Sequence, residues 1–486
     1  MAQPRMDLDH DACYRALSLR DSRFDGRFFT GVKTTGIYCR PVCPARTPHS
    51  KNVIFLATAA AAQEAGFRPC LRCRPETAPD MGAWRGTSNT VSRALSLIEL
   101  GALEDGNVEA LAERLGLGER QLRRLFRQHL GASPIGVAQT RRILLAKQLI
   151  HETRLPMAEI AFASGFGSVR RFNEAFLALF ERAPGALRRL GGEDVAVKAE
   201  GEFSLLLPYQ SPYEWPAMLD FLRQRAITGL ENVTGNRYCR TVLLDGSQGS
   251  ISVEPAIGNA LRAGIRVSKL SIVPNIIARL RRVFDLAADP LAIAGHLSKD
   301  PVLAPLVARR PGLRVPGAWD GFELAIRAVL GQQITVAAAV RLAARLVRSF
   351  GEPLTTPAFA LTHLFPRPEV LANADLTTLG MPKARAATLS AVAAALLESP
   401  EIFSCSGGLE DAVQRLRAIR GVGEWTAQYI ALRQMREPDA FPASDLGVIR
   451  ALADERGLRP KADEVLARAE RWRPWRAYAA QHLWAA

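Results

Sequence analysis

Four of the seven cysteines lie in two close pairs in the first part of the chain, a spacing that suits metal chemistry. The first pair is Cys39-Arg-Pro-Val-Cys43 and the second is Cys70-Leu-Arg-Cys73. Each pair can place two thiolates on one ion while the intervening segment folds between them, and four sulfur ligands in tetrahedral geometry suit zinc. The spacing therefore predicts one four-cysteine zinc site, whose simplest role is structural, to stabilise the fold of a small domain.

The residues around the cysteines suggest a second role for this site. The segments Phe29-Thr-Gly-Val-Lys-Thr-Thr-Gly-Ile-Tyr-Cys and Gly66-Phe-Arg-Pro-Cys closely resemble the N-terminal domain of the Ada DNA-repair family. The resemblance implies that Cys39 takes a methyl group from a DNA methylphosphotriester while it remains a zinc ligand. Three neighbours would contact DNA by the same resemblance, although they could also be ordinary exposed loop residues: Thr35, Arg46 and Arg68.

The chemistry implied for Cys39 is coherent. Zinc keeps a bound sulfur deprotonated, and the thiolate is the nucleophilic form. Zinc with four thiolates is a net anion, which repels ordinary DNA phosphates but not a neutral phosphotriester. Methylation of Cys39 would remove one negative charge, so the domain should then bind DNA more tightly.

A second constellation lies near the other end of the chain. Gly421-Val-Gly423 between two apolar helices predicts a tight hairpin, whose exposed backbone N–H groups can hold a DNA phosphate at a helix N-terminus. Asp445 follows in a Pro-containing loop. Together these features resemble the helix-hairpin-helix glycosylase superfamily, in which this aspartate is catalytic. The hairpin is also a candidate site for a monovalent cation.

The resemblance narrows to 3-methyladenine DNA glycosylase II of the AlkA type through residues 322–336 and 202–275 and through Trp472-Arg-Pro-Trp. It implies an aromatic base pocket made of Trp425, Tyr429 and Trp484, although Trp484 could instead anchor the last helix in the core. It also implies DNA contacts by Gln332, Gln333, Gly421 and Gly423. Gln333 departs from the AlkA pattern, because an apolar wedge is expected at that position.

An N3- or N7-alkylated purine is already cationic and leaves readily, so the enzyme has to stabilise the positive charge that develops on the sugar. The Asp445 carboxylate would stabilise the developing oxocarbenium ion, and the pocket would receive the flipped base by stacking. Trp425 stands where lyase-competent relatives carry a lysine, which predicts a monofunctional enzyme without Schiff-base chemistry. No cysteine follows Cys405, so no iron–sulfur cluster is expected.

Two helix-turn-helix patterns occupy residues 108–129 and 157–180, joined by a long helix over about 135–152. The pair resembles the AraC/XylS family of transcription regulators, which implies a promoter and RNA polymerase as partners. Gln121, Arg124, Arg170 and Asn173 are the candidate base contacts, although a solvated basic face is the alternative. Core positions follow from apolar spacing: Leu111, Leu115, Leu122, Phe126, Ile160, Phe172 and Phe176. Two recognition helices in one chain make a monomer sufficient.

The elements that must position these residues form a mainly α multidomain chain of 486 residues. We predict a small α/β zinc domain over 1–80, an all-α double helix-turn-helix over 86–192, a small α/β domain over 200–310 and an all-α helix-hairpin-helix domain over 315–486. A Pro-, Gly- and Ser-rich stretch over 75–90 predicts a linker between the first two domains.

The 48% hydrophobic and 23% charged content predicts a folded globular chain, and no apolar run approaches membrane-spanning length. A formal net charge of +15 favours double-stranded DNA as the partner. The polar N-terminus predicts a cytoplasmic, nucleoid-associated protein. Two competing hypotheses stay open at this point. The chain could be a transcription regulator whose glycosylase half only binds DNA, or a glycosylase whose cysteine cluster is purely structural.

Overall fold

The computed structural model describes residues 9–79, 89–103, 107–188, 202–404 and 408–486. Most of the predicted linker (80–88), the boundary between the second and third predicted domains (189–201) and Cys405 therefore lie outside the described residues. The chain divides into two compact units, one made of residues 1–211, 256–278 and 286–288, the other of 212–255, 279–285 and 289–486.

The first unit begins with a small α/β zinc domain. Its elements are α1 (His10–Ser18), β1 (Phe29–Val32), β2 (Ile37–Cys39), β3 (Val53–Leu56), α2 (Ala59–Glu64) and β4 (Arg68–Pro69). The strands form one sheet in the order β3-β1-β2-β4. Because β4 runs parallel to β2, with Tyr38 opposite Pro69, the two cysteine pairs emerge side by side at the same edge of the sheet.

Seven helices follow among the described residues of the first unit up to position 188. They are α3 (Asn89–Glu99), α4 (Val108–Arg114), α5 (Glu119–Leu130), α6 (Pro134–Glu152), α7 (Met157–Ala163), α8 (Val169–Phe180) and α9 (Pro184–Arg188). Asn107, Ser133 and Ser168 begin α4, α6 and α8 with side-chain caps. All seven core positions predicted from spacing are buried. The two helix-turn-helix patterns and the long connecting helix are therefore confirmed.

Helix α6 lies against the zinc domain through a buried ion pair. The Lys147 ammonium lies 2.6 Å from Oε2 of Glu76 and donates to the Cys70 carbonyl oxygen at 3.3 Å. Both side chains are almost fully buried. At the end of α6, Glu152 pairs with Arg74 at 3.1 Å. A metal-ligand segment is thus tied directly to the long helix of the helix-turn-helix pair.

The small α/β region predicted over 200–310 contributes strands to both units. In the first, β5 (Glu202–Pro208) pairs antiparallel with β9 (Ala260–Val267). In the second, β6 (Glu231–Thr234), β7 (Arg237–Leu244) and β8 (Ser247–Ala256) form an antiparallel meander, preceded by α10 (Trp215–Arg225). Strands were predicted here because apolar residues alternate, and the burial pattern of β5 follows that alternation.

Helices dominate the rest of the second unit. Helix α11 (Val273–Val283) crosses the division of the chain, and the following elements are α12 (Pro290–Leu297), α13 (Leu303–Arg309), α14 (Gly321–Leu330), α15 (Val336–Phe350), α16 (Pro368–Asn373), α17 (Lys383–Glu398), α18 (Leu409–Arg417), α19 (Glu424–Arg433), α20 (Leu446–Ala451), α21 (Ala462–Ala469) and α22 (Arg476–Trp484). A short hairpin of β10 (Pro353–Ala358) and β11 (Leu361–His363) adds strands that the all-α prediction omitted. No helix in the described ranges could span a membrane.

A buried ionic network fixes α14 to the meander. Arg240 of β7 pairs with Glu323 at 2.7 Å, and Arg327 pairs with Glu231 of β6 at 2.6 Å and with Glu323 at 2.7 Å. Burial disfavours the Glu323 carboxylate, but the adjacent Arg240 and Arg327 charges outweigh it and lower its pKa to about 2. The network orients α14, whose C-terminus leads directly into the Gln332–Gln333 loop.

Candidate zinc centre and base pocket

The four predicted metal ligands come together. The sulfur atoms of Cys39, Cys43, Cys70 and Cys73 all lie within 4.8 Å of one another. A zinc ion bonded to four sulfurs at about 2.3 Å holds them roughly 3.8 Å apart, so the cluster fits a tetrahedral ion with small adjustments. The donor set also fits, because four thiolates suit zinc and the group contains no carboxylate or histidine.

Hydrogen bonds couple the four thiols. The Cys39 thiol lowers the pKa of Cys43 to about 7 and holds that of Cys70 far below its usual range. The pKa of Cys39 is raised in turn, first by its hydrogen bond with Cys43. The backbone N–H of Arg40 also donates to the Cys73 sulfur at 3.3 Å. Because the pKa values of Cys39 and Cys73 are raised, the four sulfurs do not all ionise without a cation, and a bound divalent ion would supply the charge that four thiolates need.

Cys39 differs from the other three cysteines in its exposure. It is half-buried, whereas Cys43, Cys70 and Cys73 are 6–7% exposed. It lines a cleft of about 460 Å³ in the first unit. The predicted DNA contacts Thr35, Arg46 and Arg68 line the same cleft. Two arginines that sequence reasoning missed line it as well, Arg72 and Arg182. No acidic side chain is among the described residues that line this cleft.

The predicted base contacts of the helix-turn-helix pair are all exposed. Gln121 and Arg124 lie in the first half of α5, and Arg170 and Asn173 lie in the first half of α8. Arg170 forms a surface ion pair with Glu174 at 2.8 Å, which is weak enough to be exchanged for a contact with DNA. Exposure places these side chains where a recognition helix needs them, but their individual base contacts stay predictions.

In the second unit, Asp445 caps the N-terminus of α20. Its Oδ1 accepts hydrogen bonds from the backbone N–H groups of Gly447 (2.8 Å) and Val448 (3.1 Å). The indole Nε1 of Trp484 donates to the same oxygen at 2.8 Å, and the indole Nε1 of Trp425 donates to Oδ2 at 2.7 Å. Four N–H donors therefore fix the carboxylate in one orientation.

The three predicted pocket aromatics meet around this carboxylate. Trp425 and Tyr429 stack with ring centroids 5.2 Å apart, and Tyr429 meets Trp484 edge-on at 6.5 Å. All three line, with Asp445, a cavity of about 730 Å³. The geometry offers flat ring faces beside a fixed anion, which suits a base whose glycosidic bond is breaking.

The cavity also contains side chains that sequence reasoning missed. The Arg433 guanidinium lies over the rings of Phe221, Tyr429 and Trp484, with its Cζ 4.7, 5.4 and 5.0 Å from the centroids. Burial lowers the pKa of Arg433 to about 10. Gln481 of α22 also lines the cavity and is 8% exposed. No pattern in the sequence singles out either residue, because each is flanked on its helix by residues that belong to the core.

The hairpin has the predicted form. Gly421 has a φ of +86°, and a Cβ there would lie 2.0 Å from Oγ1 of Thr388, so glycine is required. Gly423 begins α19 without a side-chain cap, and a Cβ there would meet nothing within 4 Å. The first N–H groups of α19 are therefore open to an anion such as a DNA phosphate.

The two glutamines before α15 differ in environment. The Gln332 amide donates to the Gly421 carbonyl at 3.1 Å and to Oγ1 of Thr426 at 3.2 Å, so it braces the hairpin. Gln333 is exposed and has a φ of +59°, a left-handed conformation that places it at the tip of the loop. A polar residue thus holds the position where an apolar wedge was expected.

Family models match the chain in four consecutive segments. The metal binding domain of Ada matches residues 12–76, and a helix-turn-helix domain matches 111–190. The AlkA N-terminal domain matches 204–320, and the HhH-GPD superfamily of base excision DNA repair proteins matches 326–477. Fold and sites together define a DNA-binding protein that joins an Ada-type zinc and helix-turn-helix half to a helix-hairpin-helix repair half.

Individual relatives of known name narrow the family assignment further. A Mycobacterium tuberculosis protein named probable bifunctional transcriptional activator/DNA repair enzyme AlkA is 42% identical, over 98% of this chain and 96% of its own. DNA-3-methyladenine glycosylase 2 of Escherichia coli is 36% identical, over 57% of this chain and 95% of its own. A 3-methyladenine DNA-glycosylase structure from Archaeoglobus fulgidus shares the fold, with a TM-score of 0.51, 22% identity, and coverage of 58% of this chain and 96% of that one. The chain belongs to the family of bifunctional transcriptional activator/DNA repair enzymes, and the resemblance inferred from the sequence is confirmed.

Proposed function

We propose that this protein repairs alkylated DNA by two chemistries and reports the damage as a transcriptional activator. The second unit would hydrolyse the N-glycosidic bond of alkylated bases such as 3-methyladenine, and the zinc domain would accept methyl groups from methylphosphotriesters on Cys39. The observation that carries the first activity is the Asp445 carboxylate, which two indole N–H groups hold at the edge of an aromatic cavity.

In the glycosylase reaction the alkylated base leaves as a neutral purine, because it is cationic before the bond breaks. Positive charge then develops on the sugar, where the fixed carboxylate of Asp445 stabilises it and orients the attacking water. Trp425 occupies the position of the lyase lysine, so no amine is in place to form a Schiff base. We therefore expect base release without strand cleavage.

The first test is release of 3-methyladenine and 7-methylguanine from alkylated duplex DNA, with abasic-strand cleavage scored in parallel. Asp445→Asn should lose at least about a thousandfold in rate, since an ion pair across ~4 Å at an effective dielectric of 20 is worth about 4 kcal/mol. Asp454→Asn is a matched control, because Asp454 also accepts backbone N–H groups but is exposed in a turn. No release by the wild type would favour the competing reading of a regulator that only binds DNA.

In the methyl transfer, the Cys39 sulfur attacks the methyl carbon of the phosphotriester. A carbon–sulfur bond forms, the carbon–oxygen bond breaks, and a phosphodiester anion leaves. Bound zinc would keep the sulfur deprotonated at neutral pH. Arg46, Arg68 and Arg72 of the cleft would hold the flanking phosphates.

Methyl uptake is tested with DNA that carries labelled methylphosphotriesters. Peptide mass mapping should place the methyl group on Cys39 in the wild type. Cys39→Ala should take up no label, whereas Cys13→Ala, which removes a buried cysteine outside the cluster, should behave as the wild type. Labelling of the wild type at any other cysteine would refute this assignment, and a zinc-bound but unlabelled wild type would leave the cluster purely structural.

The regulatory half completes the proposal. Exposed Gln121, Arg124, Arg170 and Asn173 would read a promoter, and loss of one negative charge at the methylated cluster would strengthen that binding. RNA polymerase is the expected protein partner, a monomer is sufficient for the two half-sites, and the site of action is DNA in the cytoplasm and nucleoid. At the other end, Gly421, Gly423 and Gln333 would contact the damaged duplex, with a monovalent cation at the hairpin.

A further inference from the structure

The side chain of Gln481 is an unusual component of the base cavity. It lies on α22 one turn before Trp484, and it is buried. Its Oε1 has no hydrogen-bond partner among the described residues. Its helical neighbours Ala480 and Leu483 are apolar, so a leucine or methionine would fit this helix without leaving a polar group unpaired.

An unpaired buried amide oxygen is destabilising, because it has lost its hydrogen bonds to water and accepted none in the protein. Such a group becomes favourable when a ligand with matching donors and acceptors enters the cavity. Gln481 lines the same cavity as Asp445, Trp425 and Tyr429, so the ligand that reaches it is the one whose bond is broken at Asp445.

Stacking alone gives this cavity limited selectivity for a cationic base. The Arg433 guanidinium already lies over Tyr429 and Trp484 and places a positive charge beside their rings. A second cation gains less from ring faces that already contact one, and it is repelled by the first. Hydrogen bonds to the edge of the base would add selectivity that stacking does not supply.

We propose that the Gln481 amide selects adenine-type bases by pairing with the exocyclic amino group and N7 of a flipped 3-alkyladenine. Adenine offers a donor next to an acceptor on this edge, which is the arrangement that a glutamine amide matches with two hydrogen bonds. Alkylation at N3 leaves both groups free, and the positive charge of the base strengthens its amino donor. A 7-alkylguanine has an acceptor at O6 and a methyl group on N7, so it cannot make this pair.

This inference rests on the proposed glycosylase function and is tested by a ratio of two rates in the full-length protein. The rates of release of 3-methyladenine and 7-methylguanine are measured in single turnover from the same methylated duplex. Gln481→Met keeps the length of the side chain but removes both hydrogen bonds. It should lower the 3-methyladenine to 7-methylguanine ratio by roughly tenfold, within the range of about 5- to 150-fold that one such pair supplies.

Two further variants separate selection from general damage to the fold. Gln481→Glu keeps an acceptor for the amino group but loses the donor to N7, so its ratio should fall less than that of Gln481→Met. Gln434→Met is the matched control, because Gln434 also has an unpaired buried Oε1 but does not line the cavity. Its ratio should stay within about twofold of the wild type.

The outcomes distinguish a failure of the selectivity proposal from a failure of the proposed glycosylase function. If the wild type releases both bases but Gln481→Met keeps the wild-type ratio, the selectivity proposal is wrong and the glycosylase function stands. Equal falls in the ratio for Gln481→Met and Gln434→Met, or for Gln481→Met and Gln481→Glu, also overturn it. If the wild type releases neither base, the proposed function fails and the selectivity proposal fails with it.

Discussion

Replacement of Lys147 by methionine should destabilise the first unit and loosen its zinc site. The Lys147 ammonium lies 2.6 Å from the Glu76 carboxylate and donates to the carbonyl of the zinc-ligand residue Cys70. Methionine fills the space of the lysine stem but leaves the Glu76 charge buried, with Arg74 at 3.1 Å as its remaining ion-pair partner. The Cys70 carbonyl loses its donor as well.

Removal of one partner from a buried ion pair costs about 3–5 kcal/mol. Because Arg74 still neutralises part of the Glu76 charge, we expect the lower end of that range, about 3 kcal/mol. The double variant Lys147→Met/Glu76→Gln removes both charges and should recover about 1–2 kcal/mol of that loss. Lys51→Met, at an exposed lysine of the same domain, should change stability by less than about 0.5 kcal/mol.

The assay is urea unfolding followed by zinc release to a chromogenic chelator, because this signal reports on the first unit alone. Lys147→Met should release zinc at lower urea than the wild type, and the double variant should lie between them. A loss below about 1 kcal/mol for the single variant would refute the inference that this pair joins α6 to the zinc domain. A double variant no more stable than the single one would refute the role of the unpaired carboxylate.

Three further predictions concern the hairpin, the metal and pH. Gly421→Ala should destabilise the second unit by about 1–3 kcal/mol, because Gly421 has a positive φ and an added Cβ would clash with Thr388. Gly423→Ala should unfold as the wild type does, because an added Cβ there meets no other atom within 4 Å. This variant should bind alkylated DNA more weakly in a fluorescence-anisotropy titration. Zinc removal by a chelator should lower the Tm of the first unit and leave that of the second unchanged in calorimetry. Burial, with a smaller contribution from the Arg310 charge, lowers the pKa of His482 from 6.5 to about 4. The unfolded chain therefore takes up a proton at a higher pH than the folded chain does. The free energy of unfolding should fall as the pH drops from 6.5 to 4, by about 3 kcal/mol in all. His482→Gln should remove that slope in urea melts, and an unchanged slope would contradict it.

Local sequence determined the elements and the reactive groups of this protein. The spacing of Cys39, Cys43, Cys70 and Cys73 was enough to predict one four-sulfur site, because two close cysteine pairs supply the four ligands of a tetrahedral zinc ion. Helical periodicity identified the core of both helix-turn-helix patterns, and Phe126 and Phe172 are fully buried as expected. Such signals are local, since a helix buries one face whatever it packs against.

Only the tertiary structure decided which long-range partners complete each site. Gln332 stays a predicted DNA contact, and only the folded chain shows that its amide also donates to the hairpin, which lies in another segment of the sequence. Arg433 and Gln481 belong to the base cavity although nothing in their local sequence distinguishes them from core positions. Lys147 carries a charge on a long helix, and only the folded chain shows that it is fully buried against Glu76. A one-dimensional pattern records the side chain but not its environment, and the pairing of buried polar groups depends on segments that meet only when the chain is folded.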